Sequence, residues 1–288
     1  MRKPFTQIRL LAFFILLSSA SFGQSLSVEV NSIYNFKPAK LSDANQTIKS
    51  GQLDKFWAKV KSDTTIYLPQ LRVELMAPAH NPYFYFDGSE LLLSLSKTHH
   101  DEQLAADAIA KCSLDDISQR EYVRVLNQLA ADSINVTNAA VKILHDPKFS
   151  FYLPEHAMKF EHAYCLVYML LPSNSNFYID TLIASFKNVG QVSQKSIIVA
   201  LWFAYTCKGD SMINAIKNDK SISKDVRNDA KQSMLDKDLS KDEKEYIRDL
   251  GENKLDEVRK DAMLRFSDEA TGDLYLTTKM LRKNASCH

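Results

Sequence analysis

Lys224-Asp-Val-Arg-Asn-Asp-Ala230 and Asp256-Glu-Val-Arg-Lys-Asp-Ala262 match at Val, Arg, Asp and Ala with an offset of 32 residues. Within each copy the Val and the Ala stand four apart, so Val226 and Ala230, like Val258 and Ala262, share one face of a helix. The leading acidic residues suit the partial positive charge of a helix N-terminus. A small Ala on the buried face lets a neighbouring helix approach closely. Glu102-Gln-Leu-Ala-Ala-Asp-Ala108 keeps the Asp-Ala ending and puts Leu104 where Val stands.

The surrounding sequence carries the same rhythm. All eight prolines fall at or before Pro172, and the seven glycines never lie closer than 19 positions to one another. Glycine-poor, proline-free sequence with apolar residues at three-four spacing reads as helix. Ser118-Gln-Arg-Glu121 and Ser240-Lys-Asp-Glu243 fit the capping box, and Ser113-Leu-Asp-Asp116 is a weaker version. Gly190, Gly209 and Gly251 sit where helices are expected to stop. These signals predict helices near 43–62, 66–76, 88–98, 101–112, 118–132, 136–145, 155–171, 175–187, 192–206, 209–218, 223–235, 240–250, 253–266 and 269–283. Leu26, Val28 and Val30 alternate with polar residues, which predicts a short extended N-terminal segment. Tyr83-Phe-Tyr-Phe86 follows a Pro-x-x-x-Pro stretch and reads as an extended connection. The expected fold is all-α with no sheet, an α-solenoid of stacked antiparallel helical hairpins. Its expected organisation is a leader at 1–23, a helical segment with the extended connection at 24–87, and a helical-repeat domain at 88–288.

The segments at 224–230 and 256–262 resemble HEAT-type helical repeats, whose second helix carries an acidic-x-Val-Arg-x-x-Ala signature. The resemblance is partial at 102–108 and extends over 88–283 by helix rhythm alone. It implies a right-handed superhelical array used as an interaction surface. It also implies structural roles for Val226, Arg227, Ala230, Val258, Arg259 and Ala262, with the two arginines linking adjacent repeats.

The scattered glycines exclude the P-loop, the dinucleotide-binding turn, the kinase Gly-rich loop and the GxSxG elbow, all of which need clustered glycines. Arg2, Lys3 and Arg9 precede the apolar run Leu10-Leu-Ala-Phe-Phe-Ile-Leu-Leu17, and Ser21-Phe-Gly23 offers small residues for cleavage before Gln24. That is the layout of a secretory signal, and it resembles the leaders of exported bacterial proteins. Removing it takes the chain from 36 Lys+Arg against 35 Asp+Glu to 33 against 35, a balance without a footprint for nucleic acid. No other run approaches the roughly 20 apolar residues of a spanning helix. The mature protein is therefore expected in an extracytoplasmic space, periplasmic or secreted, and not in the membrane. Retention of the leader would instead make it a tethered scaffold. Among Cys112, Cys165, Cys207 and Cys287 no two are close enough for a CxxC motif. Cys165 and Cys207, in apolar helical segments, read as buried free thiols. The sequons Asn45-Gln-Thr, Asn135-Val-Thr and Asn284-Ala-Ser carry meaning only in a cell with N-glycosylation.

Residues 146–207 hold 8 charged residues in 62 and 12 of the chain's 29 aromatics, whereas 208–288 hold 34 charged residues in 81. The middle is thus the thick part of the core or a core beside an apolar groove. Phe160, Tyr164 and Tyr168 recur every four residues, and Ile198, Leu201, Trp202 and Tyr205 form a second stripe. Both suit packing faces. If a groove exists, Tyr152, Tyr164, Tyr168, Trp202 and Tyr205 are its candidate binding residues, because rigid amphipathic rings give contact area at low entropy cost. Glu155-His156 and Glu161-His162 form a repeated pair without the spacing of a metal motif, although Glu155 and His162 would share a helix face. His99-His100-Asp101-Glu102 is explained by acidic residues in a first helical turn. No catalytic residue, metal site or cofactor is assigned. The expectation is a non-catalytic exported scaffold that binds a protein or peptide. The alternative is an α/α-toroid enzyme acting on glycans or peptides, with carboxylates such as Glu155 and Glu161 as acid and base.

Overall fold

The computed structural model describes residues 25–34, 43–78, 80–114, 118–153, 158–173, 177–235, 239–265 and 267–284. Among them the chain is all-helical apart from one short hairpin. It divides into two compact units, one running to Phe84 and the other from Tyr85.

The first unit is built from α1 (Leu26–Tyr34), α2 (Asp43–Ser62) and α3 (Thr64–Met76), each of which touches the other two. The extended segment expected at its start is a helix. Leu26, Val30, Ile33 and Tyr34 are buried while Val28 is 53% exposed, so the burial follows the helical period and not the alternation. Asp63 caps α3 by accepting from the Ile66 N–H at 3.2 Å. Asn81 donates from Nδ2 to the Tyr34 carbonyl at 2.8 Å.

The expected connection at Tyr83–Phe86 is likewise helical and lies in α4 (Pro82–Leu95). Pro82 occupies the first helical position, where its missing N–H costs nothing, and Asn81 Oδ1 accepts from the Tyr83 N–H at 3.0 Å. A proline that looked like a breaker is a helix start.

In the second unit α5 (His99–Ile109), α6 (Gln119–Ala131) and α7 (Thr137–Leu144) are followed by β1 (Phe151–Leu153) and β2 (Met158–Phe160). Then come α8 (His162–Leu170), α9 (Phe177–Ser185), α10 (Gln191–Ala204), α11 (Cys207–Asn218) and α12 (Lys224–Leu235). The chain ends with α13 (Lys241–Leu250), α14 (Leu255–Ala262) and α15 (Asp268–Asn284). Contacts run between alternate helices. α5 touches α7, α7 touches α9 and α9 touches α11, while α6 touches α8, α8 touches α10 and α10 touches α12. Successive helices therefore alternate between two rows. Helices within one row are also joined to each other by ion pairs and hydrogen bonds. Lys195 of α10 reaches Asp225 and Asp229 of α12 at 2.6 and 3.2 Å, and Asn127 of α6 donates to the Tyr168 carbonyl of α8 at 2.7 Å.

The single helix expected at 155–171 is replaced by the antiparallel β1–β2 pair and the shorter α8. Phe151 pairs with Phe160, which sets Phe160 on a strand and takes it out of the stripe with Tyr164 and Tyr168. The boundary was hidden because α8 is apolar nearly all round, with Cys165, Leu166, Val167, Tyr168, Met169 and Leu170 all buried. Glu155 and His156 lie outside the described residues, and the strand at Met158–Phe160 stands where the expected helix would run on to His162.

Only one of the three marker glycines ends a helix. Gly251 closes α13 at φ +89°, whereas Gly190 begins α10 and Gly209 sits inside α11. A Cβ at Gly209 would lie 3.2 Å from the Leu201 carbonyl oxygen, so close packing on α10 explains that glycine. Cys112 and Cys165 are buried free thiols. Cys207, expected to be a third, is exposed at the start of α11 and disulfide-bonded. The apolar run ends at Ala204, and the Tyr205-Thr206 turn delivers the residue to the surface. Among the described residues no helix is long and apolar enough to cross a membrane.

Candidate functional site: an aromatic cavity beneath the last helix

α15 lies against a face made by α8, α10 and α11, and α12 borders that face. Tyr168 of α8 shares a hydrogen bond of 3.2 Å with Thr271, and Trp202 of α10 stacks on Tyr275 with ring centroids 5.4 Å apart. Further along, Arg282 donates to the Trp202 carbonyl at 2.9 Å and pairs with Asp210 of α11. Where α15 leaves this face uncovered there is a cavity of about 500 Å³. Tyr164, Trp202, Phe203 and Tyr275 form its aromatic wall, and Gln232 and Leu235 of α12 form its rim. Leu235 is 62% exposed, which leaves the cavity open to solvent. No carboxylate, histidine, lysine or arginine is among the described residues that line it. The rings meet edge to face, Tyr164 on Phe203 at 6.0 Å and Trp202 on Phe203 at 5.0 Å, and this packing fixes the wall in shape.

The electrostatics come from the end of α10. A helix leaves its last carbonyls without partners and carries a partial negative charge there. α10 stops at Tyr205 in the left-handed conformation, φ 40°, a position usually given to glycine. Two arginines from elsewhere donate to carbonyls of this last turn, and that of Trp202 also accepts from the Tyr205 N–H at 3.2 Å. Arg282 takes Trp202, and Arg259 of α14 takes Phe203 at 2.7 Å while its Nε donates to Thr278 at 3.2 Å. Each guanidinium also lies over a ring, Arg282 over Trp202 at 5.4 Å and Arg259 over Tyr205 at 5.0 Å.

The five candidate binding residues thus separate. Tyr164 and Trp202 reach the cavity. Tyr168 is fully buried, and burial pushes its hydroxyl up to about 12. Tyr205 lies under Arg259, and Tyr152 stands 57% exposed on β1. Tyr275 and Leu235 had no signal of their own, since one belongs to a helix far along the chain and the other ends an otherwise polar helix. No family model, curated protein or solved structure matches the chain.

Of the repeat positions, Val226, Ala230 and Ala262 are fully buried. Val258 and both arginines are half-buried. The arginines differ in use. Arg259 joins α14, α10 and α15, whereas Arg227 Nε is buried without a hydrogen-bond partner.

His162 and Asp101, from the polar clusters, are satisfied internally. His162 is buried at the start of α8, with Nδ1 2.7 Å from Ser196 Oγ and Nε2 2.5 Å from the Ile143 carbonyl. Burial holds its imidazole below the ordinary value. Asp101 is fully buried and accepts from the hydroxyls of Ser96 and Thr98. Among the described residues no group of three His, Cys, Asp or Glu is placed to hold a metal ion.

Proposed function

We propose that the protein is a non-catalytic scaffold of the HEAT type, exported to the periplasm or cell envelope, that holds a partner protein by an apolar side chain seated in the aromatic cavity. The two rows of alternating helices support the repeat reading, because a helical hairpin whose faces are covered by its neighbours on both sides is the unit of such arrays. The recurrence of Val, Arg, Asp and Ala at 224–230 and 256–262 supports the type. The secretory layout of residues 1–23 and the disulfide at Cys207 both suit an oxidising compartment.

The observation that carries the reading is the cavity itself. A solvent-open slot of about 500 Å³, walled by four rings and lined, among the described residues, without ionised side chains, suits an apolar anchor residue. The test is capture from an envelope extract with wild-type protein and with Leu235→Arg. Leu235 is exposed, so the substitution places a charge at the rim without touching the core. A partner retained by the wild type and lost by the variant, at unchanged helical content, is the expected result. Equal capture by both removes the cavity from the account.

A further inference from the structure

Asp101 and Glu102 stand side by side in the first turn of α5, both buried, and the fold treats them differently. Asp101 accepts from the hydroxyls of Ser96 and Thr98. Glu102 is only 8% exposed, yet its carboxylate has no hydrogen-bond or ion-pair partner among the described residues. The partial positive charge of a helix N-terminus favours an acidic residue in this turn, but it does not require burying one unpaired. Taking a carboxylate out of water without a partner is costly. Asp101 already ties the turn to the preceding connection, so helix initiation does not account for Glu102.

The small exposed part of Glu102 opens into a cavity of about 250 Å³ between α4, α5 and α6. Val125 and Leu129 of α6, both buried, and Leu93 of α4 give it an apolar wall. Its rim is acidic. Glu90 and Asp132 stand there, and the lining guanidinium of Arg124 is divided between Glu90 at 3.1 Å and Glu121 at 2.5 Å. Asp132 Oδ2 accepts from a neutral amide, Gln128 Nε2, at 3.2 Å. The carboxylates of Glu90, Glu102, Glu121 and Asp132 are thus met by two cations, Arg124 and the exposed Lys97. Burial pushes the Glu90 carboxyl up, and Asp87 and Glu121 add to this against the pull of Arg124, as expected where negative charge is left over.

These carboxylates do not converge on a point, since among the described residues no three His, Cys, Asp or Glu are placed to hold a metal ion. One buried carboxylate beside an apolar wall suits an extended cation instead, with a compact charge on an alkyl body. A volume of about 250 Å³ falls below the range of drug-sized sites and suits a stem of about five carbons. We propose that this cavity binds a primary ammonium on a short alkyl stem, with the Glu102 carboxylate accepting from the ammonium and Leu93, Val125 and Leu129 covering the methylenes. A free diamine and the lysine side chain of a peptide both present that chemistry. The site shares no lining residue with the aromatic cavity and stands whether or not the scaffold reading does.

Isothermal titration calorimetry on the full-length protein at low ionic strength tests the site with three probes. These are cadaverine, Nα-acetyl-lysine methylamide and 1-pentanol, whose stem carries no charge. At least one amine should bind one to one, and the tighter of the two identifies the source as a free diamine or a peptide lysine. 1-Pentanol should bind at least about ten-fold more weakly than that amine. Glu102→Gln keeps the shape and removes the charge. It should weaken amine binding at least about ten-fold at unchanged helical content, the factor carried by one charge-assisted hydrogen bond. No saturable heat from either amine, equal binding of 1-pentanol, or amine binding indifferent to Glu102→Gln overturns the proposal. Should Glu102→Gln fail to fold, Asp132→Asn at the exposed rim decides: it should weaken amine binding about three-fold, and no change there overturns the proposal.

Discussion

Arg227 and Arg259 occupy the same place in the two recurring segments, and the structure expects their removal to have unequal effects. Arg259→Ala deletes a charge-assisted hydrogen bond to the Phe203 carbonyl, a bond to the buried Thr278 hydroxyl and a guanidinium over the Tyr205 ring. The first contributes about 1.5–3 kcal/mol and the second about 1. The ring contact adds about 0.5–1 kcal/mol. Because these contacts share one side chain and do not add fully, the expected loss is about 3 kcal/mol. Arg227→Ala removes a side chain whose Nε is buried and unpaired, while Val226 and Ala230 keep the buried face of α12 intact. Its expected effect is within about 0.5 kcal/mol of zero. Urea unfolding followed by far-ultraviolet circular dichroism, with the slope held common, measures both. Equal losses for the two variants, or a loss below about 1 kcal/mol for Arg259→Ala, would refute the claim that Arg259 ties three helices together.

Three further outcomes follow from the same geometry. The His162 imidazole is held below its ordinary value by burial, so as pH falls the unfolded chain takes up the proton first. Stability from this group is complete above about pH 6.5 and declines below it, so the urea midpoint should drop between pH 7.5 and 5.5, with a flatter profile in His162→Gln. Burial pushes the Cys112 thiol up to about 12 and the Cys165 thiol higher still. Iodoacetamide should leave both untouched in the folded protein and label them once it unfolds, while Cys207 should need reduction as well. Ser240→Ala breaks the capping box in which Ser240 Oγ accepts from the Glu243 N–H at 3.2 Å and Glu243 accepts from the Ser240 N–H at 2.6 Å. That variant should lose about 1 kcal/mol, with faster exchange confined to the first turn of α13.

The helical character was legible where a serine cap marks a helix start. Ser240 and Ser118 cap helices that begin one residue later, and the proline-free stretch after Pro172 is helical wherever it is described outside its turns. Reading failed where tertiary packing chose between two local patterns. Leu26, Val28 and Val30 alternate, but Ile33 and Tyr34 complete a helical face, and burying that face outweighs the alternation. Phe151 and Phe160 pair across a hairpin that no periodicity could announce, because each strand is only three residues long. The cavity was half legible for a similar reason. Tyr164 and Trp202 stood out in an aromatic, charge-poor region, but the wall closes with Tyr275, brought back from a helix whose own sequence is ordinary. Tyr168 and Tyr205 carry the same rings as Trp202, and only the arrival of Thr271 and Arg259 turned them to packing.

The claim that the face of α8, α10 and α12 receives a partner is tested most directly by photo-crosslinking in the intact cell envelope. A benzophenone side chain placed at position 235, on the cavity rim, is compared with one at position 215, an exposed alanine on α11 in the other row. The account expects a discrete adduct from position 235 that is missing from position 215. No adduct at 235, or the same adduct from both positions, would contradict it.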